Sequence, residues 1–95
     1  MDLNKASFRA CEIAKKRGLK ETAFDILKHC AGEVLEANEA YNNWSFIDKD
    51  NLKQAFEDEL ADVIMCILSL CGAENIDIEK ALERCFIKNE QRGKK

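Results

Sequence analysis

Proline is absent from this 95-residue chain, and glycine occurs only four times. That excludes Pro-rich linkers, collagen-like repeats and turn-dense β-sandwiches. There is one histidine, His29, and no CxxC pair, so the usual Cys/His zinc cages cannot be assembled. A basic surplus is also missing. The formal net charge is −3, which argues against a nucleic acid polymer as partner. A single nucleotide is not excluded, because its phosphates can be reached through a metal ion. The most apolar run, Val63 to Cys71, is too short to cross a bilayer, so no membrane contact is expected. The first residues, "MDLNKASFRACEIAKKRG", are polar and unlike a secretory leader. The five cysteines stand singly inside apolar patterns. They read as reduced core residues of a cytoplasmic protein.

What is abundant is Ala, Leu, Glu and Lys, the composition of helices. The chain is 46% apolar and 35% charged, which fits one globular domain over residues 1–95. The punctuation predicts four helices. The first runs from about Leu3 to Arg17, with Phe8, Cys11, Ile13 and Ala14 on its apolar side and Gly18 as its stop. The second runs from about Glu21 to Asn43, with a stripe of Phe24, Leu27, Ala31, Val34, Asn38 and Tyr41. "NNWSFIDKDN" is expected to be a loop. The third helix starts near Asp50 or Asn51 and ends near Cys71, with Gly72 as its stop. Asp77 caps the fourth, which ends near Arg92 and Gly93. Short loops between such helices imply an all-α, antiparallel four-helix bundle. A domain of this size buries only about 60–65% of its unfolded surface, and the third helix is uncharged from Val63 to Cys71. Both points favour a homo-oligomer.

The acids fall into pairs. Residues three apart share one side of a helix, and Glu33/Glu36 and Glu59/Asp62 are such pairs. Cys30, Ala37 and Ala40 lie beside the first pair; Ala55, Cys66 and Ser69 lie beside the second. These neighbours are small and uncharged, unlike a solvated face. Two carboxylates 5–6 Å apart repel by about 3 kcal/mol at an effective dielectric near 20. Positions four residues on (Ala37, Ala40, Val63, Cys66) offer no cation. A divalent ion would relieve the repulsion, and an all-oxygen donor set selects Mg²⁺ first and Mn²⁺ second. A di-iron bundle would need an ExxH, which is missing. The plain alternative is a set of solvated charges, since one ExxE alone is a common helix pattern. Glu39, Glu57 and Asp58 read as surface charges or outer supports of the site.

"GEVLEANEAY" followed by "EDELADVIMCILSLC" resembles the MazG-like all-α nucleoside triphosphate pyrophosphohydrolases, over roughly Leu27 to Arg92. The resemblance implies an oligomeric helical enzyme, a homodimer or homotetramer. It implies Mg²⁺-dependent cleavage of a (d)NTP to the monophosphate and pyrophosphate, a nucleotide-pool housekeeping activity. It assigns Glu33, Glu36, Glu59 and Asp62 to the metal, and Glu36 is taken as the group that activates water. "CFIKNEQRGKK" is similar to the family's ending. It places Lys88 and Asn89 at the nucleotide and Arg92 near the phosphates. Trp44, Phe46 or Tyr41 would stack on a base; their plain role is to close the end of the bundle. Arg92, Lys94 and Lys95 equally suit a basic helix C-terminus. His29 reads as a surface or structural residue. The rival readings are a non-catalytic oligomerisation or adaptor module and a nucleotide sensor of the same fold.

Overall fold

Three of the four helices begin on a side chain that accepts hydrogen bonds from otherwise unpaired backbone amides. A computed structural model describes residues 1–18, 22–47 and 50–92. Its helices are α1 (Leu3–Lys16), α2 (Ala23–Ile47), α3 (Asp50–Ala73) and α4 (Ile78–Arg92), with no strand among the described residues. Asp2 Oδ1 accepts from the Lys5 amide at 3.1 Å, and Asp77 Oδ1 from the Lys80 amide at 3.1 Å. Thr22 and Asp25 form a reciprocal pair at the start of α2: Asp25 N–H donates to Thr22 Oγ1 at 3.2 Å, and Thr22 Oγ1 donates to Asp25 Oδ2 at 2.9 Å. Glu21, the expected start, lies outside the described residues, as do Gly93, Lys94 and Lys95.

Two helix ends differ from expectation. α2 continues past Asn43 to Ile47, so Trp44 and Phe46 stand on its last turns rather than in a loop. No glycine or proline lies between Gly32 and Gly72 to break it sooner. α3 likewise runs through Gly72 to Ala73. Its real stop is Asn75, left-handed at φ 59°, and the Ile76 amide reaches back to the Cys71 carbonyl at 2.9 Å. That is the Schellman closure, with asparagine in place of glycine. Gly18, at φ 74°, ends α1 as expected.

α3 is the central element: α1 and α2 both pack along it, while α4 leans chiefly on α1. The seam between α2 and α3 is built from Ala23, Ile26, Cys30, Glu33, Ala37, Ala40 and Trp44 on one side. Leu52, Phe56, Glu59, Val63, Cys66 and Leu70 face them from the other. Both sets follow alternating steps of three and four, the spacing of a packed helix pair. The expected α2 stripe is offset by one residue and faces out; Phe24 is 73% exposed and Leu27, Val34 and Tyr41 about half. α1 departs only in part: Cys11 is buried and Ala14 half-buried as expected, while Phe8 and Ile13 face out. Ser7, Ala10 and Cys11 are buried, and Phe8 is 68% exposed. The uncharged stretch of α3 is not covered all round within one chain, since Ile64, Met65 and Ile67 are exposed. Of the cysteines expected in the core, Cys11 and Cys71 are buried, Cys30 and Cys66 half-buried, and Cys85 exposed; none of the five is in a disulfide.

Small residues are buried on α1 because the two backbones approach closely. A Cβ added at Gly72 would fall onto the Ser7 carbonyl oxygen and within 2.7 Å of Cys11 Cβ. Gly72→Ala should therefore push α1 off α3 and destabilise the fold by about 1–3 kcal/mol, read from denaturant unfolding. A gain in stability, as expected of Ala in an uncrowded helix, would show that the approach is not tight.

The N-termini of α1 and α4 are clasped together. Asn4 Nδ2 donates to Asp77 Oδ1 at 3.0 Å and Glu79 Oε2 at 3.2 Å, and Asn4 Oδ1 accepts from the Ile78 amide at 3.1 Å. Glu79 Oε1 accepts from the Leu3 amide at 3.0 Å. The Asn4 amide, then the Lys80 N–H, hold the Asp77 carboxyl below its ordinary range; the Lys5 N–H lowers Asp2. A lowered carboxylate pKa stabilises the fold above the unfolded value and loses that contribution as pH falls through the folded one. The clasp should thus open below about pH 4. Amide exchange at Leu3 and Ile78 checks this, and unchanged protection at acid pH would refute it.

Candidate metal centre

Glu33 and Glu59 occupy positions in the α2–α3 seam that would ordinarily be apolar. Carboxylate oxygens of Glu33, Glu59 and Asp62 come within 4.8 Å of one another. Glu33 and Glu59 are half-buried, and Asp62 is exposed. The buried oxygens Glu33 Oε2 and Glu59 Oε2 have no hydrogen-bond partner. Unpaired buried acceptors are costly. Two of them side by side in a set of oxygen donors fit a hard divalent cation. Glu36, the fourth expected acid, is exposed at the border of this group, and its charge acts on Glu59.

The electrostatics concentrate on Glu59. Burial pushes its pKa up, and the charges of Glu36, Asp62 and Glu33 push it further in the same direction. The neighbours are as small as expected: Ala37 is 6% exposed, and Cys30 and Ala40 are half-buried. The Cys30 thiol lies 4.0 Å from the Val63 carbonyl oxygen. Ala55 is exposed.

His29 has a more specific place than the sequence suggested. Its Nε2 is 3.2 Å from Glu33 Oε1, one helical turn away, with side chains 59% and 15% exposed respectively. Glu33 therefore has Oε1 beside His29, while its buried Oε2 has no hydrogen-bond partner. The four-residue spacing was the available signal.

Trp44 is half-buried and stacks on Phe56 at 5.8 Å, with Tyr41 edge-on to Trp44 at 6.0 Å. These rings close one end of the seam; Phe46 is 86% exposed. Lys88, Asn89 and Arg92 are exposed on α4. Asn89 Nδ2 donates to the Cys85 carbonyl on its own helix at 2.8 Å.

An all-α chain with acid pairs facing each other across two long helices has a counterpart among known domains. The family model described as the MazG nucleotide pyrophosphohydrolase domain matches residues 20–95. The chain belongs to this family. The matched MazG domain contains α2, α3 and α4; α1 precedes it. No curated protein and no solved structure matches the chain significantly. Family membership supports nucleotide pyrophosphohydrolase chemistry in general terms. No helix among the described residues is long and apolar enough to cross a membrane.

The raised Glu59 pKa has a sign opposite to the clasp. Its favourable term is complete below the unfolded carboxylate range and is lost as pH rises through the folded value. Without divalent cations, Glu59→Gln should raise the melting temperature at neutral pH while weakening Mg²⁺ binding by about tenfold or more. Thermal melts with and without Mg²⁺ test both halves. A lower metal-free melting temperature, or an intact Mg²⁺ response, would refute the assignment of Glu59.

Proposed function

We propose that the protein is a Mg²⁺-dependent nucleoside triphosphate pyrophosphohydrolase, with Mn²⁺ as a substitute ion. The observation that carries this reading is the pair of buried, unpartnered oxygens on Glu33 and Glu59 beside Asp62, in a MazG domain. Glu33, Glu59 and Asp62, with Glu36 at the border, would hold the ion. When bound, the ion would neutralise phosphate oxygens and stabilise the departing pyrophosphate. Glu36 is exposed and free to reorient, so it would accept the proton of the attacking water. The water oxygen bonds to phosphorus as the α–β anhydride bond breaks, giving a monophosphate and pyrophosphate.

Lys88, Asn89 and Arg92 would bind the phosphates and sugar, with Trp44 at the base end. α4 leans on α1 rather than on the acid seam, so these residues would reach the acids of a second copy. The exposed Phe24, Leu35, Ile64 and Phe86 supply apolar surface for a homodimer or homotetramer. A cytoplasmic nucleotide pool is the fitting substrate source for a protein whose five cysteines form no disulfide.

The test is a panel of (d)NTPs with Mg²⁺ and resolution of the products. Equal amounts of monophosphate and pyrophosphate are expected. Orthophosphate with a diphosphate, or no turnover of any nucleotide, would overturn the reading. Asp62→Asn should lower turnover by about 100-fold or more with helical content unchanged.

A further inference from the structure

His29 is the one histidine of the chain, and two acids of α2 lie one helical turn from it. Asp25, four residues before it, accepts from the Thr22 hydroxyl at 2.9 Å. Glu33, four residues after it, places Oε1 3.2 Å from His29 Nε2. The ring also lines a cleft of about 350 Å³ between α1 and α2, on the surface of α3. The described lining of that cleft carries the cations Lys15 and Arg17 and no carboxylate. No acid in that lining competes with Glu33 for the ring.

The two oxygens of Glu33 therefore stand in different surroundings. Oε1 has a ring nitrogen beside it, while Oε2 is buried with no hydrogen-bond partner. Facing a carboxylate, Nε2 carries its proton in the neutral ring as well as in the charged one. The contact thus does not depend on the charge of the ring. Glu59, the other half-buried acid of the seam, has Ala55 and Val63 one turn away on its own helix, and neither has a side-chain donor.

A carboxylate with one oxygen already accepting a hydrogen bond has the other to offer an ion. Hard cations differ in what they require. Ca²⁺ takes about six to eight oxygens in flexible geometry and readily uses both oxygens of one carboxylate. Mg²⁺ holds to near-ideal octahedral geometry, which two oxygens of a single carboxylate would distort. We infer that His29 is a positioning residue that biases the acid cluster toward Mg²⁺ and against Ca²⁺, by occupying Glu33 Oε1 and leaving Oε2 for the ion. The inference rests on the metal-dependent reading given above and adds to it the residue that sets which ion fits. His29 acts through Glu33 and does not itself touch the ion.

Titration calorimetry with MgCl₂ and with CaCl₂, without nucleotide and at one fixed pH, tests this on the whole chain. His29→Ala releases Oε1, so Mg²⁺ affinity should fall while Ca²⁺ affinity holds or rises. The ratio of the two affinities should move toward Ca²⁺ by about tenfold. His29→Gln keeps an N–H donor at the reach of Nε2 and should hold the wild-type ratio to within about threefold. The His29 side chain is 59% exposed, so both variants should keep the wild-type circular dichroism. An unchanged ratio in His29→Ala, whether both affinities hold or fall together, would overturn the inference. So would a shift in His29→Gln as large as that in His29→Ala. A wild-type chain that binds neither ion would overturn it together with the metal-dependent reading. The expected shift in ratio, found alongside no turnover of any nucleotide, would support the role of His29 and fault the hydrolase reading alone.

Discussion

Like charges set side by side in a helix seam are the constraint to which the rest of this fold responds. Glu33 and Glu59 take positions where a bundle would place leucine, and burial adds desolvation to their repulsion. The chain surrounds them with small side chains, Ala37 and Ala40 on α2 and Cys66 beyond Asp62 on α3. Small neighbours leave room for an ion but contribute little packing. The seam is therefore held at its ends. Trp44, Tyr41 and Phe56 close one end with ring contacts, and Cys30, Ile26 and Val63 pack toward the other.

The opposite side of α3 compensates with close contact. Gly72 lets the Ser7–Cys11 stretch of α1 approach the α3 backbone, so small residues are buried there and large ones turned out. The closeness of α1 also shapes the cleft beside the acids, since Ala10 and Cys11 belong both to the packed face and to the cleft lining. A tight α1–α3 contact and an open α1–α2 gap are thus two results of one docking geometry. Its cost is an apolar exterior that a single chain leaves uncovered, running over Phe8, Phe24, Leu35 and Phe86.

Helix number, the Gly18 stop and the Asp77 cap were all legible in the sequence, because each depends on local chemistry, and so was the spacing that brings Glu33, Glu59 and Asp62 together. The direction of α2 was not. Its sequence carries two stripes one residue apart: a large apolar one through Phe24, Leu27 and Val34, and a small one through Cys30, Glu33 and Ala37. Ranking by transfer free energy selects the first for the core. The structure packs the second, because small side chains allow α2 to meet α3 along the seam that holds the acids. Gly72 misled in a related way. A glycine near a helix end reads as a stop, but this one permits a tertiary contact that no local pattern records. The His29–Glu33 pair was visible as spacing but lacked a reason to be singled out until Glu33 proved to be half-buried.

The four acids are not equivalent, and their burial separates them. Glu33 and Glu59 sit in the seam, and Glu33 Oε1 also lies 3.2 Å from His29 Nε2. Glu36 and Asp62 are exposed, one on each helix. Buried side chains lose rotamer freedom on folding, so the inner pair is oriented before any ligand arrives. The outer pair keeps that freedom and would meet an approaching ligand first. Burial of Glu59, and after it the charges of Glu36, Asp62 and Glu33, raises the energy of its ionised form, which is the source of the upward shift there. An ion held there would release that energy, and part of its affinity would come from relief of repulsion already present in the fold. On that proposal, strong ion binding and a fully relaxed metal-free seam would be mutually exclusive.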